Sequence, residues 1–155
     1  LTYPESRENV LNTFNELLKW KVIPVVNEND TVAVDEMDHQ TSFGDNDWLS
    51  AVVASGIDAD LLIVLSDIDG LFDKNPKKYA DANLISEVTE INEKITGVAG
   101  GTGSRFGTGG MATKIKAMDR MINEGRKAVL ANGKRPSIIF EILNGKQIGT
   151  LFHKK

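Results

Sequence analysis

The 155-residue sequence contains no cysteine, which excludes disulfide bonds, thiolate metal sites and cysteine nucleophiles. The absence of cysteine also favours a reducing compartment, so we expect a cytoplasmic protein. No apolar run approaches the roughly 20 residues that a membrane helix needs, and we expect no membrane partner. An excess of basic residues is missing as well, because the formal net charge is -4. That charge argues against a nucleic-acid partner.

The sequence also lacks an initiator methionine and a signal peptide, because it begins "LTYPES". We therefore expect Leu1 to be an interior position of a longer gene product. The composition of 41% hydrophobic and 26% charged residues is close to the average for soluble globular proteins. A chain of this length is long enough to bury one core and short for two, which favours one domain.

Apolar spacing predicts helices that alternate with short strands. Helices are expected at residues 6–20, from within "GDNDWLSA", around Ile95, after the glycines at 100–110, and at "PSIIFEIL". Continuous apolar runs predict strands at residues 22–26, 61–65, 127–131 and 148–152. The strands do not alternate apolar with polar residues. We therefore expect an α/β fold with a mainly parallel sheet covered by helices on both faces.

Polar clusters follow three of the predicted strands. They are "NEND" (27–30), "SDIDG" (66–70) and "NGKRP" (132–136). Ligands of open parallel sheets bind beyond the carboxyl ends of the strands. The three clusters are therefore expected to form one site.

The stretch "FGTGGMATK" (106–114) places glycines ahead of a lysine at a predicted helix start. Backbone amides and the helix dipole would favour a phosphate there, and Lys114 would lean back toward it. A Walker loop is excluded by spelling, because Ile115 follows the lysine. Two alternatives stay open: a dinucleotide-binding turn, since "GTGGMA" matches G-x-G-x-x-A, and a plain glycine-rich loop with a solvated lysine.

Acidic and amide side chains offer a second kind of chemistry. Asn27, Asn29 and Asp30 can bind a small zwitterion, although an Asx turn would use the same residues. In "GDNDW" (44–48) one residue is expected to cap the helix. Asp47 can then hold Lys114 and a second cation around a phosphate, while Asn46 contacts the acceptor.

Two further candidate sites are rejected on sequence grounds. The "DIDG" stretch (67–70) lacks the remaining ligands of a calcium loop. His39 and His153 match no metal or triad pattern, so we expect both at the surface.

The motifs "PVVNEND", "FGDND", "LLIVLSDIDGLF", "GTGSRFGTGGMATK" and "IGTLF" occur in one order over residues 6–152. In this the chain resembles the amino acid kinase family, in the branch that phosphorylates glutamate. The resemblance implies a three-layer αβα sandwich and ATP-dependent phosphorylation of the γ-carboxylate of L-glutamate, with Mg²⁺. The product would be glutamyl 5-phosphate, formed in the first step of proline biosynthesis.

The resemblance also assigns roles to residues. Lys114 and Asp47 would be catalytic, and Asp30, Asn46 and Asn27 would bind glutamate. The nucleotide would contact Ser66, Asp67, Thr108, Gly109, Gly110, Met111, Ala112, Thr113 and Lys114. The metal ligands are not indicated. The resemblance further implies a homo-oligomer, and inhibition by proline is a reasonable expectation.

One departure from the family pattern is large, because a second glycine loop, a second lysine and a glutamate-binding serine are missing. Residues 1–155 are therefore expected to be the C-terminal portion of a single kinase domain, without turnover of their own. Two alternatives follow: a non-catalytic module that binds a nucleotide or amino acid, and a kinase for another carboxylate.

Overall fold

A computed structural model describes residues 4–27, 46–100 and 110–155. The helices in these ranges are α1 (Pro4–Lys19), α2 (Asn46–Gly56), α3 (Glu93–Val98), α4 (Gly110–Asn123) and α5 (Ile138–Leu143). The strands are β1 (Leu61–Ser66), β2 (Glu87–Val88), β3 (Lys127–Asn132) and β4 (Thr150–Phe152). All five helix predictions are confirmed, as are the predicted strands that correspond to β1, β3 and β4. No helix in the described ranges is long and apolar enough to cross a membrane.

The four strands form one sheet in the order β1-β3-β4-β2. β1 runs parallel to β3, with Leu61 opposite Lys127 and Ser66 opposite Asn132. β2 is parallel to β4, and only the central β3–β4 pair is antiparallel. The prediction of a mainly parallel sheet is therefore confirmed. Because β1 and β3 end side by side, the polar residues that follow them lie at the same edge.

Helices cover both faces of this sheet. On one face α2, α3 and α4 pack against alternate strand residues: Leu62, Val64, Ala128, Leu130 and Phe152. On the other face Val129 and Ala131 of β3 contact Ile142 of α5. Every residue of β3 from Ala128 to Ala131 is buried, as expected for a strand covered on both sides. The three-layer α/β arrangement is confirmed.

The strand predicted at residues 22–26 is wrong. Residues 22–27 are neither helix nor strand, and Ile23 and Val25 are 86% and 91% exposed. A strand needs a neighbour for its backbone groups, and Pro24 has no amide hydrogen to donate. Consequently only two of the three polar clusters follow strands. β2 was not predicted, because two residues are too short for a period to appear; its pairing with β4 holds it.

Thr150 joins the sheet to the chain segments before it. Its side chain is fully buried; the hydroxyl accepts from the Leu71 amide at 2.8 Å and donates to the Ile85 carbonyl at 2.6 Å.

Thr150→Val keeps the shape of the side chain and leaves both backbone groups without this hydroxyl partner. We expect the free energy of unfolding to fall by about 3 kcal/mol and the melting temperature to fall by about 5–10 °C. Thr150→Ser keeps the hydroxyl and is the control; an equal fall for both variants would contradict this.

Candidate active site

The carboxyl ends of β1 and β3 bring two of the polar clusters together. The Gly133 amide donates to the Ser66 carbonyl at 2.8 Å, and Asn132 Nδ2 donates to Asp69 Oδ1 at 2.7 Å. Gly133 fits this close contact because a side chain there would meet Leu65, with Cβ atoms 3.0 Å apart. The expectation that "SDIDG" and "NGKRP" share one edge is therefore confirmed.

The residues assigned to the nucleotide at the end of β1 are accessible. Ser66 closes β1 and is half-buried, while Asp67 is exposed. The Ser66 hydroxyl donates to Asp67 Oδ1 at 3.2 Å, so the two polar groups face the same space. Both can reach a ligand that lies across the strand ends.

The strongest polar contact in this part of the protein joins the starts of α2 and α4. Lys114 Nζ lies 2.8 Å from Asp47 Oδ2, although the two residues are 67 positions apart in sequence. The Thr113 hydroxyl also lies 3.3 Å from Asp47 Oδ2, and 3.0 Å from the Gly110 carbonyl oxygen. The side chains of Lys114 and Asp47 are only 17% and 15% exposed. This is the least exposed ion pair among the described residues.

The charges at these two helix starts have opposite effects. Asp47 lies in the first turn of α2, where the helix dipole stabilises a carboxylate. Lys114 lies in the first turns of α4, where the dipole disfavours a cation and no acidic residue occupies the first turn. The ammonium is held there by Asp47. An ammonium added to the positive end of a helix is an arrangement that attracts phosphate.

The rest of the predicted phosphate loop is only partly within the described residues. Gly110 begins α4, and a Cβ at this position would meet no atom of the described residues within 4 Å. Ala112 is exposed, whereas Met111 is half-buried against the core. Met111 would therefore contact a nucleotide through its backbone. Thr108 and Gly109 lie outside the described residues, and their assignment stays a prediction.

The predicted glutamate residues are only partly described as well. Asn46 begins α2 and is exposed, next to the Asp47–Lys114 pair. Asn27 is exposed at the end of the segment of residues 22–27. Asp30 lies outside the described residues. The glutamate pocket therefore stays a prediction, and Asn46 is its one member adjacent in sequence to Asp47.

His153 lies at the surface, as expected, and has a partner there. Its side chain is 23% exposed, and Nε2 contacts the carboxylate of Glu87 across the β2–β4 pair. His39 lies outside the described residues.

Sequence analysis also missed a cluster behind the ion pair, in which Lys116 and Arg120 of α4 contact the ring of Trp48. The i, i+4 spacing of the two cations was visible, but their aromatic partner lies on another helix.

Comparison with known proteins agrees with the fold. The sequence profile of the amino acid kinase family matches residues 4–132. The chain is 99% identical over 155 residues to a glutamate 5-kinase of Ligilactobacillus salivarius, covering 100% of this chain and 58% of that protein. It is 60% identical over 154 residues to a glutamate 5-kinase of Enterococcus faecalis, covering 99% and 57%.

A solved structure shows how widely the fold is shared. The UMP kinase of Ureaplasma parvum superposes with a TM-score of 0.59 at 14% identity, covering 93% of this chain and 53% of that one. Such identity shows the fold alone. The α/β fold and the family profile together define the class: the chain belongs to the amino acid kinase family. Within that family its high-identity relatives are glutamate 5-kinases, and it spans a little over half of their length.

Proposed function

We propose that this chain carries the nucleotide site and part of the acceptor site of a kinase that phosphorylates the γ-carboxylate of L-glutamate. Glutamyl 5-phosphate and ADP would be the products, in the first step of proline biosynthesis. The observation that supports this proposal most is the Asp47–Lys114 pair at the start of α4, in a chain 99% identical to a glutamate 5-kinase. Residues 1–155 would be the C-terminal portion of one kinase domain; the chain covers 58% of its Ligilactobacillus salivarius relative.

The chemistry suits a site without a general base. A glutamate carboxyl, with a reference pKa of about 4.3, is ionised at pH 7 and can attack without losing a proton. One carboxylate oxygen would bond to the γ-phosphorus as the bond to the β-phosphate oxygen breaks. What the protein must supply is alignment and stabilisation of charge on the transferred group. Lys114 would stabilise that charge, and Asp47 would hold its ammonium in place.

The described residues fit the phosphates of ATP. The first amides of α4 would bind phosphate oxygens, with Lys114 beside them held by Asp47, and Ser66 and Asp67 would border the nucleotide. ATP supplies the transferred phosphoryl group. For Mg²⁺ the described residues offer no cluster of three or more His, Cys, Asp or Glu side chains. A Mg²⁺ ion would be held mainly by phosphate oxygens and water, and Asp47 would be a carboxylate of this chain beside it.

Glutamate would bind between α2 and the residues after α1. Asn46 would contact the acceptor beside the phosphate, with Asn27 and Asp30 completing the part of the pocket that this chain supplies. Such a pocket needs groups that the longer relatives have beyond this chain. Inhibition by proline through this pocket, assembly into a homo-oligomer and a cytoplasmic location belong to the same proposal; the location rests on the lack of cysteine.

The test uses this chain together with the flanking sequence of its Ligilactobacillus salivarius relative, here called the full-length protein. With Mg²⁺-ATP, L-glutamate and hydroxylamine, we expect glutamate-dependent ADP and an equal amount of γ-glutamyl hydroxamate. L-aspartate and N-acetyl-L-glutamate are the matched acceptors, and they should give less than about a tenth of the rate. L-aspartate is one methylene shorter, so its side-chain carboxylate would stop short of the phosphate, and N-acetyl-L-glutamate lacks the ammonium that the pocket must pair. Added proline should lower the glutamate rate.

Other outcomes separate the alternatives. Binding of ATP or glutamate without hydroxamate would support a non-catalytic binding module. Faster hydroxamate formation with another acceptor would support a kinase for that carboxylate. Turnover by residues 1–155 alone would contradict the proposal that the acceptor site is shared with other parts of the protein.

A further inference from the structure

The helices α2 and α4 lie side by side and run in the same direction. Asp47 and Lys114 meet at their amino ends, while Ser55 and Arg120 meet near their carboxyl ends. Small buried residues separate the two helices: Ala51, Ala54 and Ala117. Alanines allow helix backbones to approach closely. The geometry of the Asp47–Lys114 pair therefore depends on how these two helices are held together.

Arg120 of α4 contacts two side chains of α2. Its Nε donates to the Ser55 hydroxyl at 2.9 Å, near the end of α2. Its guanidinium carbon lies 5.3 Å from the centre of the Trp48 ring, in the first turn of α2. Lys116 adds a second cation 4.8 Å from the same ring. One α4 side chain thus spans α2 from its first turn to its last.

Glu124 holds the arginine in this position. Glu124 Oε1 accepts from Arg120 Nε at 3.1 Å, and the Glu124 side chain is 33% exposed. Burial raises the pKa of Glu124, but the hydrogen bond with Ser55, the charge of Arg120 and the hydrogen bonds with Arg126 and Arg120 outweigh it and hold the pKa below its usual value. The carboxylate is therefore ionised at neutral pH. The ion pair between Arg120 and Glu124 is therefore present at the neutral pH of a kinase assay.

Trp48 links the Arg120 contact to the site, because Trp48 directly follows Asp47 in the chain. A cation–π contact and a hydrogen bond from a charged donor each stabilise the arrangement of the groups that they join. Together these contacts are strong enough to fix the first turn of α2 against α4. A displacement of about 1 Å at a phosphoryl-transfer site is costly, up to roughly 100-fold in rate.

We infer that Arg120 is a positioning residue, which clamps Trp48 and Ser55 so that Asp47 holds Lys114 in line with the transferred phosphoryl group. The inference rests on the proposed kinase function. Arg120 itself touches neither of the charged site residues and acts through Asp47. Trp48 is the link between the clamp and the site.

The kinetic test compares Arg120→Met, Arg120→Lys and Lys146→Met in the full-length protein. Methionine keeps the length of the side chain but removes the charge and the donor, whereas lysine keeps a cation for Trp48. Lys146 pairs with Glu141 beside α5, on the other face of the sheet, and is the control. We expect Arg120→Met to lower kcat about 10-fold with KM for glutamate within about 2-fold. Arg120→Lys should recover most of kcat, and Lys146→Met should match the parent.

A double-mutant cycle with Asp47→Asn separates positioning from a general structural defect. Once the Asp47 charge is gone there is nothing to position, so Arg120→Met should then change kcat less than about 2-fold. A purely structural role would give equal losses in both backgrounds. Equal losses, or an unchanged kcat for Arg120→Met in the parent background, would overturn the inference.

A labelling experiment tests the same inference without turnover. Acetic anhydride is applied briefly, and acetylation of Lys114 relative to exposed Lys127 is measured by mass spectrometry. Arg120→Met should raise this ratio at least about 3-fold while the melting temperature stays near that of Arg120→Lys, because the ion pair loosens locally. An unchanged ratio would overturn the inference. If the parent makes no hydroxamate, the kinase proposal fails, and the labelling result still decides whether Arg120 holds the pair.

Discussion

Replacing Lys114 with alanine is expected to lower hydroxamate formation by the full-length protein at least about 100-fold, the scale of a lost charge stabiliser. Lys114 Nζ lies 2.8 Å from Asp47 at the amino end of α4. The helix dipole there can bind a phosphate without the lysine, so ATP binding should persist at reduced affinity. The measurement is kcat for hydroxamate beside ATP binding by calorimetry. Lys127→Ala, at an exposed lysine that begins β3, is the control and should keep the parent kcat.

The Lys114→Ala variant also leaves Asp47 in a site where its side chain is only 15% exposed. A carboxylate that loses its ion-pair partner in such a place is less stable, so part of an activity loss can come from unfolding. The double variant Asp47→Asn/Lys114→Ala removes the carboxylate charge as well. Its melting temperature should return toward that of the parent, while its activity stays lost. Recovery of activity along with stability would contradict a catalytic role for Lys114.

The sequence was most informative where local rules and the fold agree. "LLIVL" and "KAVLA" are continuous apolar runs, and both are strands covered by helices on two faces. Their polar ends were expected to meet, and Asn132 does bond to Asp69. Lys114 was singled out because it follows a glycine-rich stretch at a predicted helix start, where amides and the helix dipole favour a phosphate. In the structure the carboxylate of Asp47 pairs with the ammonium of that lysine.

The features that sequence analysis missed depend on partners far away in the chain. Residues 22–26 have the composition of a strand, but composition does not supply a neighbouring strand. β2 consists of two residues that pair with β4, so it has no periodic pattern of its own. Trp48 looks like an ordinary apolar residue of α2 until α4 brings Arg120 to its ring. The helix-to-helix clamp behind the ion pair is therefore visible only in three dimensions.

The largest effect on folding is expected from Gly149→Ala, just before β4. Gly149 has φ +70, and a Cβ there would lie 2.1 Å from the Leu130 carbonyl oxygen and 3.0 Å from its carbonyl carbon. These atoms are backbone atoms of buried β3, so the clash cannot be relieved by a side-chain rotation. Relief requires β4 to move away from β3. Because β4 also pairs with β2, such a movement disrupts two ladders at once.

Gly145→Ala is the matched control, because Gly145 has φ +81 and a Cβ there would meet nothing within 4 Å. Both substitutions pay the conformational cost of a left-handed alanine, about 1–2 kcal/mol, and only Gly149→Ala adds the clash. We expect Gly145→Ala to fold with a melting temperature a few degrees below the parent. Gly149→Ala should lose more than about 4 kcal/mol and give little folded protein. Melting temperatures within about 3 °C of each other would show that β4 can shift without breaking the sheet.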